Sequence, residues 1–409
     1  MTNYIILALC LLVLLAYLFD ITSKYSKIPG VILLIGLGIA IQVLVDTTGL
    51  KIPDMEQLLP VIGTVGLILI VMEASMDLKL GKKKLGLIIK SASAAIFLFA
   101  FFVAIMTLIM FKLLGYPVID SLLNAIPFGI ISSAVAISSA SNLNHEQKEF
   151  VVYESSFSDI VGILAFDFIL LYQFSIGYGL MNYAFKGVLT ILVAVVITSA
   201  LAMLLHKITY HINYIIILTS VVMVYALAKM IHLPALLLVM AFGMALANYK
   251  LVQNTVIRRY VDFDKFGNDL VSFKKIMTEF TFVVRSFFFI MFGYYSKLEG
   301  LFDLHNIIAA LAIITGIYLL RVIFLWKFLK IPVFPFLFFS PRGLITILLF
   351  LSIPAASRIG PINEEVVTLV ILLTILLMMI GNIFYRQKII PDEDYGSVHE
   401  EVSEPEQSS

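Results

Sequence analysis

The sequence predicts an all-α membrane protein that crosses the bilayer many times, and two observations support this fold class. Of the 409 residues, 61% are hydrophobic and only 13% are charged, whereas a soluble domain carries about 25% charged residues. Apolar runs long enough to cross a bilayer as helices recur along the chain. Segments 5–18 and 366–380 are continuously apolar, without the period-two alternation of a membrane β-barrel.

The apolar runs divide the chain into about thirteen predicted spans joined by mostly short loops. We assign residues 1–388 to one transmembrane domain and 389–409 to a short, acidic, disordered cytoplasmic tail. The predicted spans are 4–21, 30–46, 58–76, 87–112, 118–141, 150–174, 183–206, 211–231, 233–250, 276–295, 303–326, 333–353 and 364–384.

Positive charge predicts the orientation of the chain. With thirteen spans, most loop Lys and Arg residues fall on the side of the C-terminus, including Lys82–Lys84 and Lys274–Lys275. Cytoplasmic loops carry this excess. We therefore expect a multi-pass protein of the plasma or inner membrane, with its N-terminus outside and its C-terminus in the cytoplasm.

Composition also argues against other classes of function. The net charge of +1 gives no general attraction to nucleic acid. All six histidines fall in loops, at span ends or in the tail, so no central Ser–His dyad or metal cluster is available. We predict neither an enzyme nor a cofactor or resident metal.

Ionisable residues within the predicted spans are the first candidates for function. Each costs about 2.5–3.5 kcal/mol at the bilayer centre even on lenient scales, so such residues mark ion pairs or transport sites. The candidates are Glu73, Glu154, Asp159, Asp167, Glu279, Arg285, Arg321 and Arg342.

Two carboxylates and several hydroxyls lie together in predicted span 150–174. Glu154 and Ser158 are four residues apart, as are Ser155 and Asp159, so each pair shares a helix face. Glu154 is expected mainly to neutralise an arginine. Asp159 lies deeper, beside small polar residues that could complete an ion shell.

Two other spans contain candidate interruptions. In span 118–141, Ser132 and Ser133 belong to a serine-rich stretch that indicates either close helix packing or an unwound segment that coordinates a cation. In span 333–353, Pro341 and Gly343 flank Arg342 and favour a helix break. The first six and last six spans then match as inverted repeats, with broken helices five and twelve at equivalent positions.

Four motifs resemble the monovalent cation/proton antiporter superfamily over about residues 1–388. Leu69–Leu78 resembles the "aGLE-x-DL" end of the family's third span, and Glu154–Asp159 resembles its E-x-x-x-N-D signature. Arg285–Phe289 resembles the "R-T-F-F-F" core of span ten, and Ser340–Leu344 resembles "G-P-R-G-L" of span twelve.

This resemblance implies a sodium/hydrogen exchanger-like domain, with a homodimer as the expected assembly. It implies that Asp159 binds the cation or the proton and that Glu154 pairs with Arg285 or Arg342. Two positions depart from the family pattern. Ser158 replaces the asparagine before the aspartate, and 132–134 (Ser-Ser-Ala) replaces T-D-P, so the acid of that motif is missing.

The resulting hypothesis is exchange of Na⁺ or K⁺ for H⁺ by competition at Asp159. Hard cations prefer oxygen ligands, which Asp159 could supply together with Ser158, Ser155, Ser132 and Ser133. One acid per site predicts electroneutral exchange. The alternatives are an organic-anion transporter, in which Arg342 and Arg285 bind the substrate, and a non-transporting sensor on the same fold.

Overall fold

The computed structural model describes residues 2–26, 29–48, 59–77, 85–140, 143–174, 188–189, 192–193, 213–230, 235–248, 263–296 and 298–385. Within these ranges all regular structure is helical. The helices are α1 Thr2–Ser26, α2 Gly30–Thr48, α3 Leu59–Asp77, α4 Leu85–Lys112, α5 Val118–Gly129, α6 Ser133–Ser139, α7 His145–Phe174, α8 Asn213–Met230, α9 Ala235–Ala247, α10 Phe263–Tyr295, α11 Leu298–Leu301, α12 Leu304–Ile323, α13 Leu344–Leu351 and α14 Glu364–Phe384. A π-helical turn, Phe324–Leu329, extends α12.

The described helices agree with the membrane-protein prediction. By length and composition, six segments could each cross a membrane: Gly30–Thr48, Leu85–Lys112, Val118–Ser139, Leu270–Tyr295, Leu304–Leu329 and Glu364–Phe384. Most of predicted span 183–206 and all of the predicted tail lie outside the described residues. The exact number of thirteen spans therefore stays a prediction.

The helices pack as two groups that touch along a limited interface. In one group α2 and α3 pack against α10, with α1, α8 and α9 around them. In the other, α4, α5 and α7 pack together, and α12, α13 and α14 close around them. Contacts between the groups run mainly from α13 to α3 and from α7 to α9. The broken helices α5/α6 and α13 both belong to the second group.

A glycine pair lets α2 and α10 approach backbone to backbone. A Cβ added at Gly38 would lie 2.1 Å from the carbonyl oxygen of Ile290, and one at Gly293 would lie 2.3 Å from that of Ile35. Small residues at such crossings allow the close packing that holds helices together in lipid. No flexible side chain is available there to move aside.

We expect Gly38→Ala to destabilise the protein by about 1–3 kcal/mol, because the added methyl group forces two backbones apart. Gly36→Ala in the same helix is the matched control, because a Cβ at Gly36 meets no atom within 4 Å. Thermal unfolding in mild detergent measures both. Equal melting temperatures for the two variants would contradict the close crossing.

The two predicted helix breaks are confirmed. Pro127 lies near the end of α5, where it removes one hydrogen bond from the last turns of the helix. The backbone is then extended at Ile130 and Ser132 before α6 begins. In the later span, residues 330–343 are non-helical and α13 begins only at Leu344. Serine-rich sequence in the first span therefore accompanies an unwound segment as well as close packing.

Candidate cation-binding site

The two breaks meet in the interior of the second helix group. The backbone N–H of Ser132 donates a 2.8 Å hydrogen bond to the carbonyl of Pro341. Gly343 lies against the same serine, since a Cβ there would be only 2.4 Å from the Ser132 hydroxyl oxygen. Only glycine permits this approach, which places the start of α13 beside the start of α6.

Arg342 donates hydrogen bonds to one backbone carbonyl at each of the two breaks. Its side chain is buried, and its Nε donates to the carbonyl of Phe128 at 2.7 Å while Nη1 donates to that of Ser340 at 2.7 Å. The last carbonyls of a helix carry partial negative charge. The guanidinium thus compensates the partial negative charge at the C-terminal end of α5. The backbone N–H of Arg342 donates to the Thr374 hydroxyl in α14 at 3.0 Å.

Ser158 holds the unwound segment against α7. Its hydroxyl oxygen accepts a 2.9 Å hydrogen bond from the backbone N–H of Ile131, within the break. This N–H has no helical partner because the helix is interrupted there. Ser158 was predicted as a cation ligand, and the geometry gives it a structural contact in addition.

We expect Ser158→Ala to destabilise the protein by about 1–3 kcal/mol, because it leaves the buried N–H of Ile131 without its acceptor. Ser158→Asn restores an acceptor and should recover much of the loss. Denaturant titration in mild detergent compares the three proteins. If Ser158→Ala is as stable as the parent, the hydroxyl does not support the break.

Asp159 is a buried carboxyl with one oxygen engaged and one available. Its Oδ2 accepts a short hydrogen bond from the Ser133 hydroxyl. Its Oδ1 is buried and has no hydrogen-bond partner within the described residues. A buried, unsatisfied acceptor is costly, so this oxygen marks the point where a proton or a cation would bind most favourably.

The other predicted ligands lie close by in the fold. Ser155 is one turn before Asp159 on α7, and its hydroxyl donates to the carbonyl of Val151 at 2.7 Å, which leaves its oxygen lone pairs available. Ser132 and Ser133 belong to the break that contacts Ser158 and Asp159. Of the five predicted cation-site residues, Ser155, Ser158 and Asp159 lie on α7, Ser132 lies in the break and Ser133 begins α6; the direct side-chain contact among them is the one from Ser133 to Asp159.

The predicted partners of Glu154 are wrong. Glu154 forms a buried bidentate ion pair with Arg321 of α12, with Nη1–Oε1 and Nη2–Oε2 distances of 2.7 and 2.8 Å. The Arg321 Nε also donates to the carbonyl of Phe336 at 2.9 Å. Arg342 instead contacts the carbonyls described above, and Arg285 lies on α10 in the other helix group. Arg321 was recognised as a buried charge, but only the helix arrangement shows which acid it faces.

Sequence reasoning missed a buried amide that fixes the loop after α13. The Asn124 Nδ2 donates to the carbonyls of Asp120 and Ser357, at 2.8 and 2.7 Å. It belongs to α5, six residues before the break. A search restricted to ionisable groups passes over it, and a neutral polar residue within an apolar run is the signal that could have found it.

A cavity of about 870 Å³ lies between the two helix groups, away from Asp159 itself. Its wall includes the acids Asp46, Glu364 and Glu365 together with the bases Lys229 and Arg358, and it reaches Leu348 of α13. Leu348 is five residues beyond Gly343, which is about 7.5 Å along a helix. The cavity therefore approaches the crossing of the two breaks from the side where α2 ends and α14 begins.

Comparisons with known proteins give one family and one fold. The family model described as "Sodium/hydrogen exchanger, transmembrane" matches residues 10–385. A search of curated proteins finds no match. A structure of the sodium proton antiporter MjNhaP1 from Methanocaldococcus jannaschii at pH 8 aligns with a TM-score of 0.67 and 18% identity, covering 92% of this chain and 97% of that chain. A second structure of MjNhaP1, from electron microscopy, aligns with a TM-score of 0.65 and 18% identity, covering 94% and 95%. At this identity the likeness is evidence for the fold.

Proposed function

We propose, from the premise that the chain belongs to the sodium/hydrogen exchanger family, that it exchanges a monovalent cation, Na⁺ or K⁺, for H⁺ by competition at Asp159. Members of this family are membrane transporters, so the chain is assigned to cation/proton antiport and not to an enzyme class. The lipid bilayer is its environment, and the homodimer, the plasma-membrane location and the outward N-terminus stay predictions.

The observation that carries the proposal is the free carboxylate oxygen of Asp159. That oxygen is buried at the crossing of two broken helices, and hydroxyl groups lie on the neighbouring elements. A buried carboxylate is stable when its charge is neutralised, and either a proton or a cation does this. The two ligands exclude each other, because a protonated oxygen no longer binds a cation well.

Transport requires that the loaded site reach each side of the membrane in turn. The packing supports motion of one helix group against the other, because Asp159 and both breaks lie in one group and the interface between the groups is limited. The predicted inverted repeat would provide the two equivalent end states. The cavity of about 870 Å³ is the proposed approach from the outer side, as the predicted orientation defines it.

The geometry does not favour the organic-anion alternative. Arg342 uses Nε and Nη1 on carbonyls of its own fold, and its surroundings have no room for an organic substrate. Arg285 lies on α10, apart from the breaks. The sensor alternative has no specific contact in its favour, and the transport experiment below decides it.

We expect the exchange to be electroneutral, because the predicted site contains one carboxylate, Asp159, and the preceding position is Ser158 instead of a second acid. One cation would then replace about one proton. Purified protein adsorbed on a solid-supported membrane should give no steady current when Na⁺ is applied. A current that changes sign with the imposed voltage would contradict the one-for-one exchange.

Inside-out vesicles with an acidic interior test the function directly. A fluorescent dye reports the pH difference, and pulses of Na⁺, Li⁺ and K⁺ are added in turn. We expect at least one cation to release protons from vesicles that contain the protein, with no release from vesicles without it. If the protein is inserted and folded but none of the three ions releases protons, the antiporter proposal is disproved and the sensor is favoured.

A further inference from the structure

A second, much smaller cavity lies between α4 and α12, and its wall includes Ser158 but not Asp159. It is lined by the polar side chains of Ser158, Arg342 and Ser340, and on its apolar side by residues that include Ala95, Phe99 and Leu320. About 20 Å³ of it accommodates the centre of a water-sized sphere. That is room for one water molecule or one monatomic ion.

The polar wall of this cavity includes hydrogen-bond donors that have no acceptor among the described residues. The Nε of Arg342 donates to the Phe128 carbonyl, and its Nη1 donates to the carbonyl and the hydroxyl of Ser340. Its Nη2 makes no hydrogen bond to any residue that the structure describes. The hydroxyls of Ser158 and Ser340 each accept a hydrogen bond, and neither donates its proton within the described part of the chain. Guanidinium nitrogens cannot accept, so only an acceptor satisfies this wall.

The charges around the cavity are also unbalanced. Arg321, which touches the cavity as well, has both Nη atoms engaged by Glu154. Arg342 forms no ion pair within the described residues, and its partners are neutral carbonyl and hydroxyl oxygens. A buried charge is stabilised most when an opposite charge compensates it. The cavity thus combines free donors, one positive charge that has no ion-pair partner within the described residues, and the volume of a single ion.

We propose that this cavity binds one small monovalent anion, chloride, against Arg342 Nη2 and the hydroxyls of Ser158 and Ser340. Chloride accepts hydrogen bonds from several directions and carries no proton, which fits a wall made of donors. Larger oxyanions exceed the volume. The site is separate from the cation site and shares only Ser158 with it, so its existence does not depend on the exchange activity.

Thermal unfolding of the purified full-length protein tests the proposal. Total sodium and ionic strength are held constant while chloride replaces gluconate, so the cation site sees the same solution throughout. We expect the melting temperature to rise with chloride and to saturate, by about 2 °C or more when chloride is well above its dissociation constant. Bromide should substitute for chloride.

Two alanine substitutions in α4 locate the effect. Ala95→Val fills the cavity without removing a donor and should abolish the chloride-dependent rise. Ala104→Val makes the same change on an exposed position of the same helix and should retain it. Each protein is compared with itself in gluconate, so a difference in basal stability does not matter. If Ala95→Val does not fold, Ser340→Ala replaces it, and its half-maximal chloride concentration should rise about tenfold for the lost hydrogen bond.

Two results would overturn the proposal. Identical melting curves in chloride and gluconate would mean that the donors are satisfied by water. A chloride effect that persists unchanged in Ala95→Val, or in Ser340→Ala if that variant is used, would place the anion elsewhere on the protein.

Discussion

Replacing Asp159 with asparagine should abolish cation-dependent proton release in the vesicle assay. The amide keeps the size of the side chain, and its oxygen can still accept the hydrogen bond from Ser133. It cannot be protonated at neutral pH and carries no negative charge for a cation. Both ligands of the proposed competition are lost together, so proton release should fall to that of vesicles without protein for Na⁺, Li⁺ and K⁺ alike.

The same substitution elsewhere provides the control. Asp120→Asn changes a carboxylate in the first turn of α5, nearly three turns before the break, and should leave exchange close to that of the parent. Circular dichroism and the melting temperature establish that both variants are folded. Exchange that survives in a folded Asp159→Asn protein would remove the carboxylate from the mechanism.

The second large effect is expected at the buried ion pair between Glu154 and Arg321. Glu154→Gln leaves the Arg321 charge in the interior without its counter-charge, and Arg321→Met leaves the Glu154 charge in the same situation. Removing one partner of a buried pair costs about 3–5 kcal/mol. We expect each single variant to lose that much unfolding free energy in denaturant titrations in mild detergent.

The double variant identifies the cause of this loss. With Glu154→Gln and Arg321→Met together no isolated charge remains, so much of the stability should return, giving a large coupling energy in the double-mutant cycle. The exposed pair Arg358–Glu364, at 3.9 Å, is the control, because surface pairs contribute little. Additive losses at Glu154 and Arg321 would show that the two side chains do not stabilise each other.

The positions of the helix breaks follow from local chemistry and were therefore predictable. Pro341 and Gly343 both disfavour the interior of a helix, and a serine-rich run inside an apolar span marks a polar interruption. The role of Ser158 was only partly predictable. Its spacing placed it near the site, but its hydrogen bond to Ile131 depends on α7 facing the unwound segment of another span.

The sequence by itself determined the membrane fold class and the family, and it singled out Asp159 as the candidate carboxylate. Each rests on properties that can be counted along the chain, namely the length of apolar runs, the cost of a charge in lipid and motifs of fixed spacing. The tertiary structure decided the partners. It paired Glu154 with Arg321 instead of Arg285 or Arg342, and it turned Arg342 toward the carbonyls of Phe128 and Ser340. It also left one oxygen of Asp159 without a hydrogen-bond partner among the described residues. Pairing depends on the rotation and crossing of helices that are distant in sequence. Arginines occur in several spans, and their sequence positions alone do not show which of them faces Glu154.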